Sequence, residues 1–177
     1  RTFHIFYQLL AAPDEYKSGV WEHLHQTTAS SFKYVGYTST NVIEGLTDGR
    51  RWYKTIDALK LVGVSGDSLQ SLLRALCAVL QLGNLTFGIH PENEEASVIT
   101  SSNELHKLVN ILGVDSDRLS RAFTQRTVKA FKDTYQVPLN PNAAKDVCDA
   151  FAKAMYARAF DWLVRAINDA TCAVKNH

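Results

Sequence analysis

The sequence predicts a mainly α fold with minor β structure, and three observations carry that reading. Apolar residues recur at spacings of three and four through most of the 177 residues, the mark of amphipathic helices. The nine glycines stand singly, several of them where a periodic run stops. Only short stretches alternate in the two-residue period of strands. The composition, 46% hydrophobic and 21% charged, is that of a folded, soluble chain. Nineteen basic against 18 acidic residues leave a net charge of +1, so no global charge points to nucleic acid or an acidic membrane. No apolar run approaches the roughly 18 residues of a membrane span.

In chain order, residues 2–10 place Phe3, Phe6, Tyr7 and Leu10 on one helical face. Pro13-Asp14-Glu15 suits a helix start, predicting a second helix to His25 that buries Tyr16, Val20, Trp21 and Leu24. Residues 26–45 are rich in hydroxyls, Gly and Asn, and read as irregular with Tyr34, Val35 and Tyr37 as anchors. Trp52, Ile56, Leu59 and Leu61 mark a third helix with Gly63 as its C-cap. Ser65 or Asp67 caps a strongly apolar fourth, through Leu69, Leu72, Leu73, Leu76, Val79 and Leu80, stopped by Gly83-Asn84, residues that tolerate positive φ. Strands at 85–87 and 97–100 flank an acidic turn at 91–95. Ser102 caps a helix through Leu105, Leu108, Val109 and Leu112 that Gly113 ends. Asp115 opens a shorter one with Leu119, Ala122 and Phe123. Residues 124–139 alternate β-branched and aromatic with basic residues. The last and longest helix runs from 141 or 142 to Val174, with a buried stripe of Val147, Phe151, Met155, Ala159, Trp162, Ala166 and Ala170.

Most sources of chemistry are missing. Neither a G-x-x-x-x-G-K-[ST] phosphate loop nor G-x-G-x-x-G occurs. No cysteine pair has zinc-finger spacing, no H-E-x-x-H occurs, and His23 and His25 point about 200° apart on a helix. Cys77, Cys148 and Cys172 are widely spaced in apolar helical contexts and read as buried thiols of a reducing compartment. The chain opens on Arg1-Thr2-Phe3, already inside a helical pattern, and reads as the edge of something longer.

One stretch departs from neutrality. Arg118, Arg121, Arg126, Lys129 and Lys132 follow one another with no acid between Arg118 and Lys132, and Asp133 comes next. If residues 127–132 are extended, Lys129 takes one face and Val128, Ala130 and Lys132 the other, with Phe131 at an apolar tip. Such a loop suits docking on an acidic protein surface; a merely solvated loop has the same composition, and the residues alone leave both open.

Four segments carry a resemblance. Residues 1–10, with Phe-His-Ile-Phe-Tyr-Gln-Leu-Leu, resemble the F-H-I-F-Y-Q-L-L signature of myosin motor domains. Thr55-Ile56-Asp57-Ala58-Leu59 with Gly63-Val64-Ser65 resembles the family's next helix-and-glycine segment. Residues 80–87 resemble its L-H-L-G-N-I-x-F element, with Gln81 in place of the commoner histidine. Asp149-Ala150-Phe151-Ala152-Lys153, then Phe160-Asp161-Trp162-Leu163-Val164 and Ile167-Asn168, resemble its D-A-L-A-K…F-D-W-L-V…I-N helix. All four stand in the family's order across the whole chain.

The resemblance implies a helical subdomain of a myosin-type P-loop NTPase motor, the upper actin-cleft segment between switch I and switch II, here residues 1–177. ATP and Mg2+ would belong to the parent motor and no catalytic residue to this segment. Actin would be the partner, with light chains or calmodulin reached only through a lever outside it. The site would be the actin cytoskeleton in the cytoplasm, with neither nucleic acid nor a membrane segment involved. Residues 124–139 would be the actin-contacting cardiomyopathy-type loop, with Arg126, Lys129, Phe131 and Lys132 as contact residues. Arg126 stands one step before the family's usual basic position, here Thr127. Residues 141–174 would lead toward switch II. The family's acidic or phosphorylatable position falls sixteen residues before Asp149, on Asp133, so the charge would be permanent; Thr134 beside it is the alternative. The competing reading is a freestanding helical interaction module without motor activity.

Overall fold

The computed structural model describes residues 1–40 and 42–173, in two compact units: Arg1–Leu80 with the chain from Ala154 onward, and Gln81–Lys153. The fold is mainly helical with three two-stranded antiparallel sheets among the described residues.

In the first unit, α1 (His4–Leu10) buries Phe6, Tyr7, Leu9 and Leu10. Tyr7 donates its hydroxyl proton to the Val35 carbonyl at 2.9 Å, and the Arg1 guanidinium lies over its ring, 4.2 Å from the centroid. Phe3 precedes the helix and is exposed, but its ring stacks on Tyr156 at 4.2 Å. α2 (Asp14–Val20) is shorter than the sequence predicts. Gly19 weakens its last turn, Trp21 turns extended, and a single 3-10 turn, Glu22–Leu24, replaces the continuation to His25. Val20, Trp21 and Leu24 are all buried across the break, and Tyr16 is half-buried. Lys17 is buried on this helix; its ammonium pairs with Asp14 at 2.8 Å and donates to the carbonyls of Leu10 (3.4 Å) and Thr27 (3.0 Å).

The described residues of 26–45 are irregular apart from the 3-10 turn Ala29–Ser31 and the start of a small ribbon, β1 (Val42–Ile43) with β2 (Leu46–Thr47). Their anchors are Phe32 and Val35, with Tyr34 half-buried; Tyr37 is 91% exposed and anchors nothing. α3 (Asp48–Leu61) is capped by Thr47, whose hydroxyl accepts from the Arg50 amide, and buries Trp52, Ile56 and Leu59. Leu61, predicted for that face, is 87% exposed, because two residues beyond Leu59 is about 200° around a helix. Gly63 follows at φ +80°, where only glycine sits without strain. α4 (Gly66–Gly83) begins after Ser65, whose amide donates to Ser68 Oγ. Leu69, Leu73, Leu76, Cys77, Val79 and Leu80 are buried, while Leu72 is half-buried.

In the second unit α4 ends at Gly83, as the Gly83-Asn84 stop pair predicts, with Gly83 itself still helical. Tight bonds from the amides of Asn84 and Leu85 to the carbonyls of Gln81 and Leu82 make the exit. Gln81 is buried and donates to the Glu104 carbonyl at 2.9 Å and to its carboxylate at 2.6 Å. Burial alone would raise the Glu104 carboxyl's pKa, but the Gln81 amide and Lys107 ammonium outweigh it and hold it low.

β3 (Phe87–His90) pairs with β4 (Asn93–Ile99), with a bulge at Ile89/His90; β3 runs up to the predicted acidic turn and β4 begins inside it. α5 (Ser102–Leu112) starts one residue after Ser101. The Ser101 hydroxyl accepts from the Thr86 amide at 2.9 Å, so it ties the hairpin down and makes no helix cap. Gly113 ends the helix at φ +64°. α6 (Ser116–Thr124) is capped by Asp115, whose carboxylate accepts from the Arg118 amide at 2.8 Å. It buries Leu119 and Phe123, and Ala122, predicted with them, is exposed.

α7 (Pro141–Ala173) is the longest element, and the predicted end at Val174 lies outside the described residues. The predicted stripe is one step out of phase. Ala144, Cys148 and Ala152 are the buried residues of its first half, whereas Val147 and Phe151 are exposed, as is Trp162 farther on. Met155, Ala159, Ala166 and Ala170 are half-buried. The helix is apolar on several sides, so periodicity alone could not choose the face. Small side chains at 144, 148 and 152 allow close approach, and Cys148 Sγ reaches the Leu82 carbonyl at 3.5 Å. Cys77 and Cys148 are buried, but Cys172, expected with them, is exposed; all three are free thiols. No helix among the described residues is long and apolar enough to cross a membrane.

Candidate functional site

The basic stretch is a hairpin. β5 (Gln125–Ala130) pairs antiparallel with β6 (Asp133–Pro138) in continuous register from Gln125↔Pro138 to Ala130↔Asp133. The Leu139 amide closes its base on the Thr124 carbonyl at 2.8 Å. Two residues, Phe131 and Lys132, make the turn. Phe131 has φ +53° and is the only one of the two at positive φ, the pattern of a type II′ turn, which favours glycine at that place. Yet the position holds phenylalanine, fully exposed. A local preference is overridden to present an aromatic ring at the tip.

Register decides which candidate residues stand together. Successive strand residues face opposite sides and paired residues share a side. Gln125, Thr127 and Lys129 therefore share one face with Pro138, Gln136 and Thr134. Arg126, Val128 and Ala130 share the other with Val137, Tyr135 and Asp133. Lys129 and Arg126 are thus on opposite faces, and the four predicted contact residues do not form one patch. The alternation expected through Lys132 ends at Ala130, because Lys132 belongs to the turn. Phe131 and Lys132 sit at the tip, Lys129 just below on one side, and Arg126 near the base on the other. Asp133 accepts a hydrogen bond from the Tyr135 hydroxyl at 3.2 Å, on the face away from Lys129. Thr134 stands directly opposite Lys129, so its neighbour in sequence occupies a different electrostatic setting.

The Lys129 face continues into a hollow of about 560 Å³ lined by Arg118, Arg121, Ala122, Gln125, Thr127 and Gln136. Helical phase builds one wall: residues 118, 121 and 122 follow the i, i+3, i+4 rule, and Gln125 joins them from the first position of β5. This is why Ala122 is exposed while Leu119 and Phe123 on the far side are buried. The floor is polar, with the Gln136 amide donating to the Thr127 hydroxyl at 3.0 Å. Sequence reading counted Arg118 and Arg121 in the basic run without assigning them to the site; the phase of α6 was the signal available. Among the described residues no group of three or more His, Cys, Asp or Glu side chains is arranged to hold a metal ion.

A helical chain that projects a basic, aromatic-tipped hairpin has the parts of a protein-docking segment. The sequence profile of the myosin head (motor domain) matches residues 1–177, and the chain belongs to that family. Among its relatives are Myosin-52 of Schizosaccharomyces pombe, 35% identical over 96% of this chain and 11% of that protein, and unconventional myosin-Ib of Rattus norvegicus, 35% identical over 96% and 15%. Myosin-K heavy chain of Dictyostelium discoideum is 31% identical over 96% and 19%. The chain thus spans roughly a tenth to a fifth of the length of these relatives.

Proposed function

We propose that the chain is the segment between switch I and switch II of a myosin motor, an actin-activated ATPase, and forms its upper actin-cleft subdomain. The observation that carries the reading is the hairpin of β5 and β6, whose fully exposed Phe131 stands beside Lys132 and Lys129, in a chain of the myosin head family. On this reading the tip docks on the actin filament. The lysines steer encounter with acidic groups, and the ring adds apolar contact. Arg126, on the opposite face, adds charge at the base of the hairpin rather than at the tip. Asp133 supplies a permanent negative charge, so docking requires no kinase.

ATP and Mg2+ are bound by loops of the parent motor outside this segment. α7, leading toward switch II, is the rigid element through which nucleotide state and actin affinity bias one cleft between open and closed. The P-loop NTPase architecture, a cytoplasmic place on actin filaments, and light chains or calmodulin on a lever beyond this segment belong to the same proposal.

The test reverses Lys129 and Lys132 to glutamate in the complete motor. The expected result is a higher actin concentration for half-maximal ATPase activation and a weaker dependence on salt, since exposed charge attraction is screened. Activation with unchanged affinity and unchanged salt dependence would refute the docking role.

A further inference from the structure

The hollow beside the hairpin holds the unassigned chemistry. Arg118 and Arg121 stand one turn apart on the exposed stripe of α6, and no acidic side chain is among the residues that line the space with them. Neither guanidinium has a hydrogen-bond or ion-pair partner among the described residues. Asp117, four residues before Arg121 on the same helix, does not pair with it. Lys129 lies on the same face of the hairpin as Thr127, about 7 Å farther toward the tip at the strand rise per two residues. Three cations therefore share one face, while the nearest carboxylate of the hairpin, on Asp133, is turned to the other.

Guanidinium groups are planar forks whose N–H donors match a carboxylate in bidentate fashion. Here they flank amide and hydroxyl groups able to take the remaining hydrogen bonds of an entering side chain. We infer that the α6 face, through Arg118 and Arg121, is a second docking surface continuous with the hairpin, which receives acidic side chains of the actin filament. The inference rests on the docking role proposed above and extends it from the tip to the helix behind. It also predicts a division of labour: the tip contributes apolar contact and two lysines, and the hollow contributes directional carboxylate recognition.

The experiment compares three forms of the complete motor: wild type, R118E/R121E, and K129E/K132E. Exposed ion pairs are each worth about 0.2–1 kcal/mol, so losing two and adding repulsion should raise the actin concentration for half-activation about threefold to thirtyfold. ATPase without actin and the maximal rate at saturating actin should stay as in wild type. R118K/R121K should recover only part of the loss, because lysine keeps the charge without the fork. If R118E/R121E matches wild type while K129E/K132E is weakened, the hollow has no docking role and the hairpin reading stands. If both match wild type, both proposals fall. Should R118E/R121E lose its actin-free activity through misfolding, R118Q/R121Q decides between the same outcomes. Full recovery by the lysine pair would reduce the hollow to diffuse charge and overturn the carboxylate-recognition part.

Discussion

Replacing Phe131 by glycine should move stability and docking in opposite directions. The residue holds φ +53° in a two-residue turn, a conformation that costs a non-glycine residue about 1–2 kcal/mol. Glycine removes that strain but returns about 0.4–1 kcal/mol through the greater freedom of its unfolded chain. The ring is fully exposed, so no packing is lost, and the net gain is about 0.5–1 kcal/mol. Amide exchange in the β5–β6 strands, read by hydrogen–deuterium exchange, should slow by about two- to fivefold, since each 1.4 kcal/mol is tenfold in an opening equilibrium.

Docking should suffer. Full burial of a phenylalanine is worth about 1.5–3 kcal/mol. A ring pressed on a surface from one side captures about half of that, so actin affinity in the complete motor should fall by about three- to twelvefold. Cosedimentation over a range of salt concentrations separates this from charge effects, because an apolar contact leaves the salt slope unchanged. The Phe131→Ala variant supplies the control: it keeps the strain and loses the ring, so it should bind like the glycine variant and exchange like wild type. Faster exchange in Phe131→Gly would refute the strain argument. Wild-type affinity in both variants would refute contact by the tip.

Other consequences follow from the core and its caps. Lys17→Met keeps the buried stem but leaves the carbonyls of Leu10 and Thr27 without their charged donor; chemical denaturation should show a loss of about 1–3 kcal/mol. Gly113→Ala forces φ +64° on a residue with a Cβ, at a cost of about 1 kcal/mol in the same assay. Burial pushes the Cys77 and Cys148 thiols up to about 12 from 9.0, and Cys172 is exposed. A thiol reagent at mildly alkaline pH should therefore label Cys172 first and the others only on unfolding, as mass spectrometry of the labelled peptides would read. Between pH 9 and 12 the unfolded chain loses those two protons and the folded one keeps them. Stability should then fall with rising pH, by up to about 1.4 kcal/mol per pH unit for each thiol, as denaturation midpoints across that range would measure.

Local chemistry was legible along the chain wherever one helix face or one cap decided the matter. Trp52, Ile56 and Leu59 were readable as buried because spacings of four and three keep them on one helical face, a spacing Leu61 breaks. Gly63, Gly113 and the Asp115 cap were readable because few residue types serve at those places. The basic run and its aromatic tip were visible too, and residue order alone supported the family resemblance that the profile match bears out. Tertiary packing decided the rest. α7 is apolar on several sides, so only the approach allowed by Ala144, Cys148 and Ala152 selected the buried face. Ser102 reads as a helix cap until the structure places it inside the first turn of α5, with the Ser101 hydroxyl held by the Thr86 amide. Arg126 and Lys129 read as one cluster until strand register separates them and returns Lys129 to the arginines of α6. Charges close in sequence need not share a face, because strand pairing and helical phase are fixed by the burial of other residues.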